Sequence, residues 1–164
     1  MATPPLDAYP KDGRAPDEAE TRLLIVDDEE SILLAMGEYF RSRGFQTDCA
    51  REREEAEALL ARRPYEVVIA DLRLSWLEMT AGLDLVSLVR QRYPRTRCIL
   101  LTAHGSAELE QEAMLRGADR FLRKPQPLDR IALIVQELLL QSGTADPQQR
   151  SGLSPLDETS RSEV

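Results

Sequence analysis

Short, nearly unbroken runs of Val, Ile, Leu and Ala alternate along this chain with stretches whose apolar positions recur every three or four residues. A continuous apolar run followed by a 3.6-residue period predicts strand–helix repeats. RLLIV (22–26) predicts a first strand. ESILLAMGEYFRSRG (30–44) predicts a helix with Ile32, Leu33, Met36 and Phe40 on one face and Gly44 as its stop. FQTDCA (45–50) alternates only in part and predicts a weaker strand near an edge. REREEAEALLARR (51–63) predicts a helix that is polar except for Ala56, Leu59 and Leu60. YEVVIAD (65–71) is an apolar strand ending in an acid. AGLDLVSLVRQRY (81–93) predicts a helix with Leu85, Leu88 and Val89 inward.

The pattern then repeats twice more. RCILLTA (97–103) predicts a strand, and SAELEQEAMLRG (106–117) a helix with Ser106 as its N-cap. ADRFLRK (118–124) predicts the last strand. PLDRIALIVQELLLQ (127–141) predicts the last helix, with Pro127 at its first turn. Leu128, Ile131, Ala132, Val135, Leu138 and Leu139 form the inward stripe of that helix, and Leu133 and Leu140 fall outside it. Five such units argue for an α/β fold, a doubly wound parallel sheet covered on both faces.

Composition narrows the class. The chain has 164 residues, 42% hydrophobic and 30% charged, with a net charge of −8. Residues 1–20 are rich in proline and acid and read as a disordered arm. Residues 142–164 read as a disordered tail, with no output domain after them. The ordered unit is 21–141. It holds no basic stripe, so no direct nucleic-acid binding is expected. It has no long apolar run and no signal-peptide pattern, so a cytoplasmic protein without a membrane span is expected. Cys49 and Cys98 fit no metal motif and read as small core residues.

Ligands in such sheets bind beyond the carboxyl ends of the strands. There the first strand delivers Asp27 and Asp28, the third Asp71, the fourth Thr102 and the fifth Lys124. Carboxylates about 4 Å apart repel by roughly 4 kcal/mol at an effective dielectric near 20. Lys124 offsets one charge, and a hard divalent cation such as Mg²⁺ would offset two more. One carboxylate oxygen could then attack phosphorus, while Lys124 and Thr102 receive the phosphoryl oxygens.

These residues resemble the receiver domain of two-component response regulators. The resemblance covers 21–141 and implies a flavodoxin-like five-stranded sheet of order 2-1-3-4-5. In that order Cys49 and Cys98 would lie about 14 Å apart, too far for a disulfide. LIVDDEE matches the family's Mg²⁺-binding acids at Asp27 and Asp28. VVIADLRL matches the phosphate acceptor at Asp71, with the backbone carbonyl of Arg73 completing the metal sphere. LLTAHG matches the switch hydroxyl at Thr102, followed by the small Ala103. FLRKP matches Lys124, with a cis bond to Pro125, and Phe121 stands where the family has its switching ring.

The resemblance implies a single-domain response regulator that takes a phosphoryl group on Asp71 from a histidine kinase or phosphotransfer protein. It would signal to a downstream protein target or pass the group on, and would not be a turnover enzyme. A homodimer through the last strand and last helix is possible on this reading. Two alternatives stand beside it. An aspartyl-phosphate phosphatase or phosphotransferase would commonly carry an aspartate where Arg73 stands. A degenerate receiver would bind partners without phosphate. Two departures are specific to this chain. LRLSWLEMTAGLDL (72–85) has Ser75 in the usual proline position, carries Trp76, Leu77 and Met79, and runs about three residues long before Gly82. Arg73 and His104 stand at the rim and are expected to slow hydrolysis of the phosphorylated form.

Overall fold

The computed structural model describes residues 21–74 and 80–143. Residues 1–20 and 144–164 of the two expected disordered ends, and Ser75, Trp76, Leu77 and Met79 of the long loop, lie outside the described residues, whereas Ser142 and Gly143, expected in the disordered tail, continue the last helix, where Ser142 Oγ donates to Leu138 O. Five strands and five helices alternate. They are β1 (Arg22–Val26), α1 (Glu30–Ser42), β2 (Gln46–Ala50), α2 (Arg53–Arg62), β3 (Val67–Ala70), α3 (Ala81–Arg92), β4 (Arg97–Thr102), α4 (Ala107–Arg116), β5 (Arg120–Arg123) and α5 (Leu128–Gly143). All pairings are parallel, in the order β2-β1-β3-β4-β5. The expected doubly wound topology is the one observed, with β2 at an edge.

The two-residue period of a strand sends alternate side chains to opposite faces, and the sheet divides accordingly. Leu24, Val26, Val68, Ala70 and Leu100 pack with Ala56, Leu60, Leu83, Leu85, Val86, Val89 and Ala113. Leu23, Ile25, Val67, Ile69, Ile99 and Leu101 pack with Leu33, Met36, Phe40, Ile131, Val135 and Leu138. Helices α2, α3 and α4 therefore cover one face, and α1 and α5 the other. Leu88 is only partly buried, and Leu83 and Val86 carry more of the α3 contact than the periodicity suggested. Leu133 and Leu140 are 50% and 74% exposed on α5, as their place off the stripe requires.

The helix ends follow their local chemistry. Gly44, at φ 90°, lets Phe45 N–H reach Phe40 O and Gly44 N–H reach Arg41 O, which closes α1. Ser106 Oγ accepts Leu109 N–H at 3.2 Å and caps α4. Pro127 sits just before α5, where its carbonyl accepts from Arg130 and Ile131. Asp119 is a keystone that the hydrophobic pattern could not reveal. It accepts from Cys98 N–H at 2.8 Å, Arg97 at 2.9 Å and Arg90 at 3.3 Å, and so locks β4, α3 and the start of β5 together. Among the described residues, no helix is long and apolar enough to cross a membrane.

Both cysteines are free thiols; Cys98 is buried and Cys49 is only partly so. Burial, aided by the charge of Asp119, pushes the Cys98 thiol up from 9.0 to about 12. The folded chain thus keeps a proton that the unfolded chain releases. The stabilisation is complete below the unfolded value and is lost as pH rises towards the folded one, at up to about 1.4 kcal/mol per pH unit. Cys98→Ala should lower stability at neutral pH yet flatten the decline in urea-unfolding free energy between about pH 9 and 11. An unchanged slope would contradict this assignment.

Candidate functional site

The ladder itself brings the acids together. Asp27 N–H donates to Ala50 O at 3.1 Å, and Asp71 N–H donates to Val26 O at 2.9 Å. Each aspartate is therefore the first residue beyond its strand, tied by its own backbone to the neighbouring strand end. One oxygen of each of Asp27, Asp28 and Asp71 lies within 4.8 Å of the others. Asp27 is 3% exposed and Asp71 8%, whereas Asp28 faces solvent.

Lys124 enters from the far side. Its Nζ donates to Asp27 Oδ2 at 2.6 Å and to Asp71 Oδ2 at 3.2 Å. The remaining oxygens of the buried pair are also held: Glu29 N–H donates to Asp27 Oδ1 at 2.9 Å, and Arg73 N–H to Asp71 Oδ1 at 3.2 Å. Burial pushes the Asp71 carboxyl above its ordinary value, although Lys124 and the Arg73 N–H pull it down. Burial opposes the Lys124 ammonium too, but its hydrogen bond to Asp27 and the charges of Asp27 and Asp71 outweigh that and hold it above the usual lysine value.

Three carboxylates facing one ammonium leave an excess of two negative charges. A pair of carboxylates at 4.8 Å repels by roughly 3.5 kcal/mol at an effective dielectric near 20. The donor set is all oxygen, one member is open to solvent, and the uncompensated charge is that of a divalent cation. These residues fit Mg²⁺, which binds through a few carboxylates and retains water.

The other expected residues fall around this centre. Thr102 ends β4 and is fully buried, and its Oγ1 accepts His104 N–H at 3.2 Å. Lys124 N–H donates to Thr102 O at 2.8 Å, which ties the lysine's backbone to the same strand end. The Lys124–Pro125 bond is cis. Phe121 is half-buried against the core beneath α4. The His104 side chain is exposed and that of Arg73 is half-buried; both reach the site through backbone N–H groups.

Gly82 is a residue whose role the sequence did not disclose. Its N–H donates to Leu72 O at 3.0 Å. A Cβ placed on it would stand 2.2 Å from Asp71 O and 2.7 Å from Leu72 Cα, both backbone atoms. The start of α3 thus docks directly on the backbone that carries Asp71, whatever path the longer loop takes before it.

Comparison with known proteins points the same way. Residues 23–136 match the family described as response regulator receiver domain. The response regulator protein PilR of Pseudomonas aeruginosa is 37% identical over 118 residues, which is 72% of this chain and 26% of PilR. The regulatory protein AtoC of Escherichia coli is 37% identical over 125 residues, 76% of this chain and 26% of AtoC. The chain thus spans about a quarter of the length of these curated relatives. A CheY-like receiver domain protein from Methanospirillum hungatei superposes with a TM-score of 0.72 at 22% identity, covering 76% of this chain and 98% of that one, which bears on the fold.

The Gly82 contact gives a direct test. Gly82→Ala must push apart two backbone segments, and overpacking of this kind costs roughly 1–3 kcal/mol. The variant should unfold at lower urea with a perturbed Asp71 amide resonance. A variant as stable as wild type, with that resonance unmoved, would show that α3 can retreat from the strand end without consequence.

Proposed function

The chain belongs to the response regulator receiver family of two-component systems, and we propose that it accepts a phosphoryl group on Asp71 and signals through the contacts that this group rearranges. The observation that supports the reading most is the carboxylate trio within 4.8 Å, with Lys124 bridging its two buried members. Mg²⁺, when bound, would sit on Asp27, Asp28, Asp71 and the carbonyl of Arg73, neutralising charge on the phosphoryl oxygens.

In this reading an Asp71 carboxylate oxygen attacks the donor's phosphorus. A new P–O bond forms, and the bond from phosphorus to the phosphohistidine nitrogen, or to the acyl oxygen of a small acyl phosphate, breaks. The leaving atom keeps the electron pair. The Arg73 N–H orients the carboxylate plane. Lys124 is already at hydrogen-bond distance from Asp71 and would follow the new negative charge. Thr102 exchanges its His104 N–H for a phosphoryl oxygen, and Phe121 moves into the space it leaves. The protein would turn over no free substrate. Its donor would be a histidine kinase or phosphotransfer protein in the cytoplasm.

The reader of the state would be a protein surface. Leu133 and Leu140, exposed on α5, are apolar groups available for it, whether the partner is a target or a second copy. The NtrC4 receiver domain, whose solution structure is of a beryllofluoride-activated dimer, is 28% identical with a TM-score of 0.67, covering 74% of this chain and 98% of that one.

Incubation with acetyl phosphate and Mg²⁺ should add the mass of one phosphoryl group to the wild type. Asp71→Asn should add none, and a chelator should abolish the gain. Labelling that persists in Asp71→Asn would refute the acceptor assignment. After donor removal, the Arg73→Ala, His104→Ala double variant should lose the group several-fold faster than wild type, on the reading that these two side chains, two residues beyond Asp71 and Thr102, hinder hydrolytic water. Equal lifetimes would remove any rate-setting role for that pair.

A further inference from the structure

β2 is an outer strand of the sheet, with β1 as its neighbour. That pairing fixes which of its backbone groups turn away. Gln46 N–H donates to Thr21 O at 3.0 Å, and Ala50 O accepts from Asp27 N–H at 3.1 Å. Backbone groups alternate in direction along a strand, so those of Gln46, Asp48 and Ala50 face β1. Those of Thr47 and Cys49 face the open edge. A row of such N–H and C=O groups is a template for a further strand.

One residue of α1 lies across that edge. Gly44, at φ 90°, turns the chain back after α1, and Arg41 in the last helical turn then reaches β2. Its Nε and Nη2 donate to Thr47 O at 3.1 and 2.9 Å, two bonds from one planar guanidinium. Nη2 also stands 3.8 Å from Cys49 Sγ. On the helix side the guanidinium lies against the bare Cα of Gly37. A Cβ there would be 3.0 Å from Arg41 Nη1 and 3.2 Å from Cys49 Sγ. Glycine is a poor helix former, and at this place it leaves room for the guanidinium between α1 and the strand.

We propose that Arg41 closes this edge: by occupying Thr47 O and setting a positive charge among the outward groups, it keeps β2 from pairing with β2 of a second copy of the chain. The edge is otherwise self-complementary. Two copies related by a two-fold axis run antiparallel, so the N–H and C=O of Thr47 in one copy face those of Cys49 in the other. The guanidinium withdraws an acceptor that this pairing needs, in both copies at once, and brings two like charges to the seam. Asp48, which the pairing would set opposite its own counterpart, is already engaged by the Tyr65 hydroxyl at 2.6 Å and by Arg63 at 3.5 Å. The role is independent of the chemistry at Asp71.

The test is self-association of the full chain, followed by light scattering over a concentration series for wild type, Arg41→Ala and Arg43→Ala, with hydrogen exchange of individual backbone amides. Arg43→Ala is the control. It removes the same charge from the same end of α1, but the Arg43 guanidinium pairs with Asp129 of α5 at 3.0 Å. Arg41→Ala should self-associate at least about tenfold more tightly than wild type, and its Thr47 and Cys49 amides should exchange more slowly as concentration rises. Arg43→Ala should do neither. If Arg41→Ala does not fold, Arg41→Met keeps the aliphatic stem without the donors and is read in the same way. Unchanged association of the Arg41 variant would overturn the proposal. So would association that leaves those two amides unprotected, because it uses another surface, or association shared equally by Arg43→Ala, because it reports lost charge alone.

Discussion

The Lys124 ammonium between Asp27 and Asp71 is the contact around which the rest of this structure is arranged. Two nearly buried carboxylates at neighbouring strand ends would otherwise force one of them to take up a proton. Burial does push Asp71 in that direction. A single lysine, itself held charged by the acids it faces, is enough to keep the buried pair in place. It does not neutralise the third carboxylate, Asp28, which stays at the solvent edge. The site is thus left anionic on its solvent-facing side, where a cation can approach.

The fold secures that contact from several sides, each by backbone geometry. The ladder bonds from Asp27 to Ala50 and from Asp71 to Val26 fix where the acids emerge. The bond from Lys124 N–H to Thr102 O fixes where the lysine emerges. Gly82 brings the first turn of α3 onto the Asp71 backbone, and Asp119 ties β4 to the start of β5 at the opposite end of those strands. The acids and the lysine come from strand ends nearly a hundred residues apart in sequence, yet the parallel sheet makes them neighbours. A large charge cost can be held at this rim because the apolar faces below it, filled by residues such as Leu24, Ile25, Ile69 and Leu100, are packed independently of it.

Much of this could be read along the chain. Fully buried strands such as VVIA and RCILLT leave a continuous apolar signature, and an acid or hydroxyl closing such a run is visible as a break. The Asp27, Asp71 and Thr102 positions were legible for that reason, and Lys124 from its place just beyond the last strand. What stayed hidden depends on distance in space. Asp119 looks like any polar residue before a strand until Arg90, Arg97 and the Cys98 amide are seen around it. Gly82 looks like an ordinary helix-start glycine, and only the backbone atoms lying where its side chain would be give it meaning. The difference between Asp27 and Asp28 is likewise invisible in a pair of identical letters. It arises because the first side chain points to Lys124 and the second to water.

The account stands on a cation site made by three acids and one lysine. Replacing Mg²⁺ by paramagnetic Mn²⁺ and recording backbone amide relaxation reports directly where the ion sits. Enhancement centred on residues 27, 28 and 71–73, and lost when excess Mg²⁺ is added, is the result expected here. Broadening centred instead on another acidic stretch, such as Glu52 to Glu57, with the strand-end amides unaffected, would contradict the claim that these carboxylates are gathered to hold a metal.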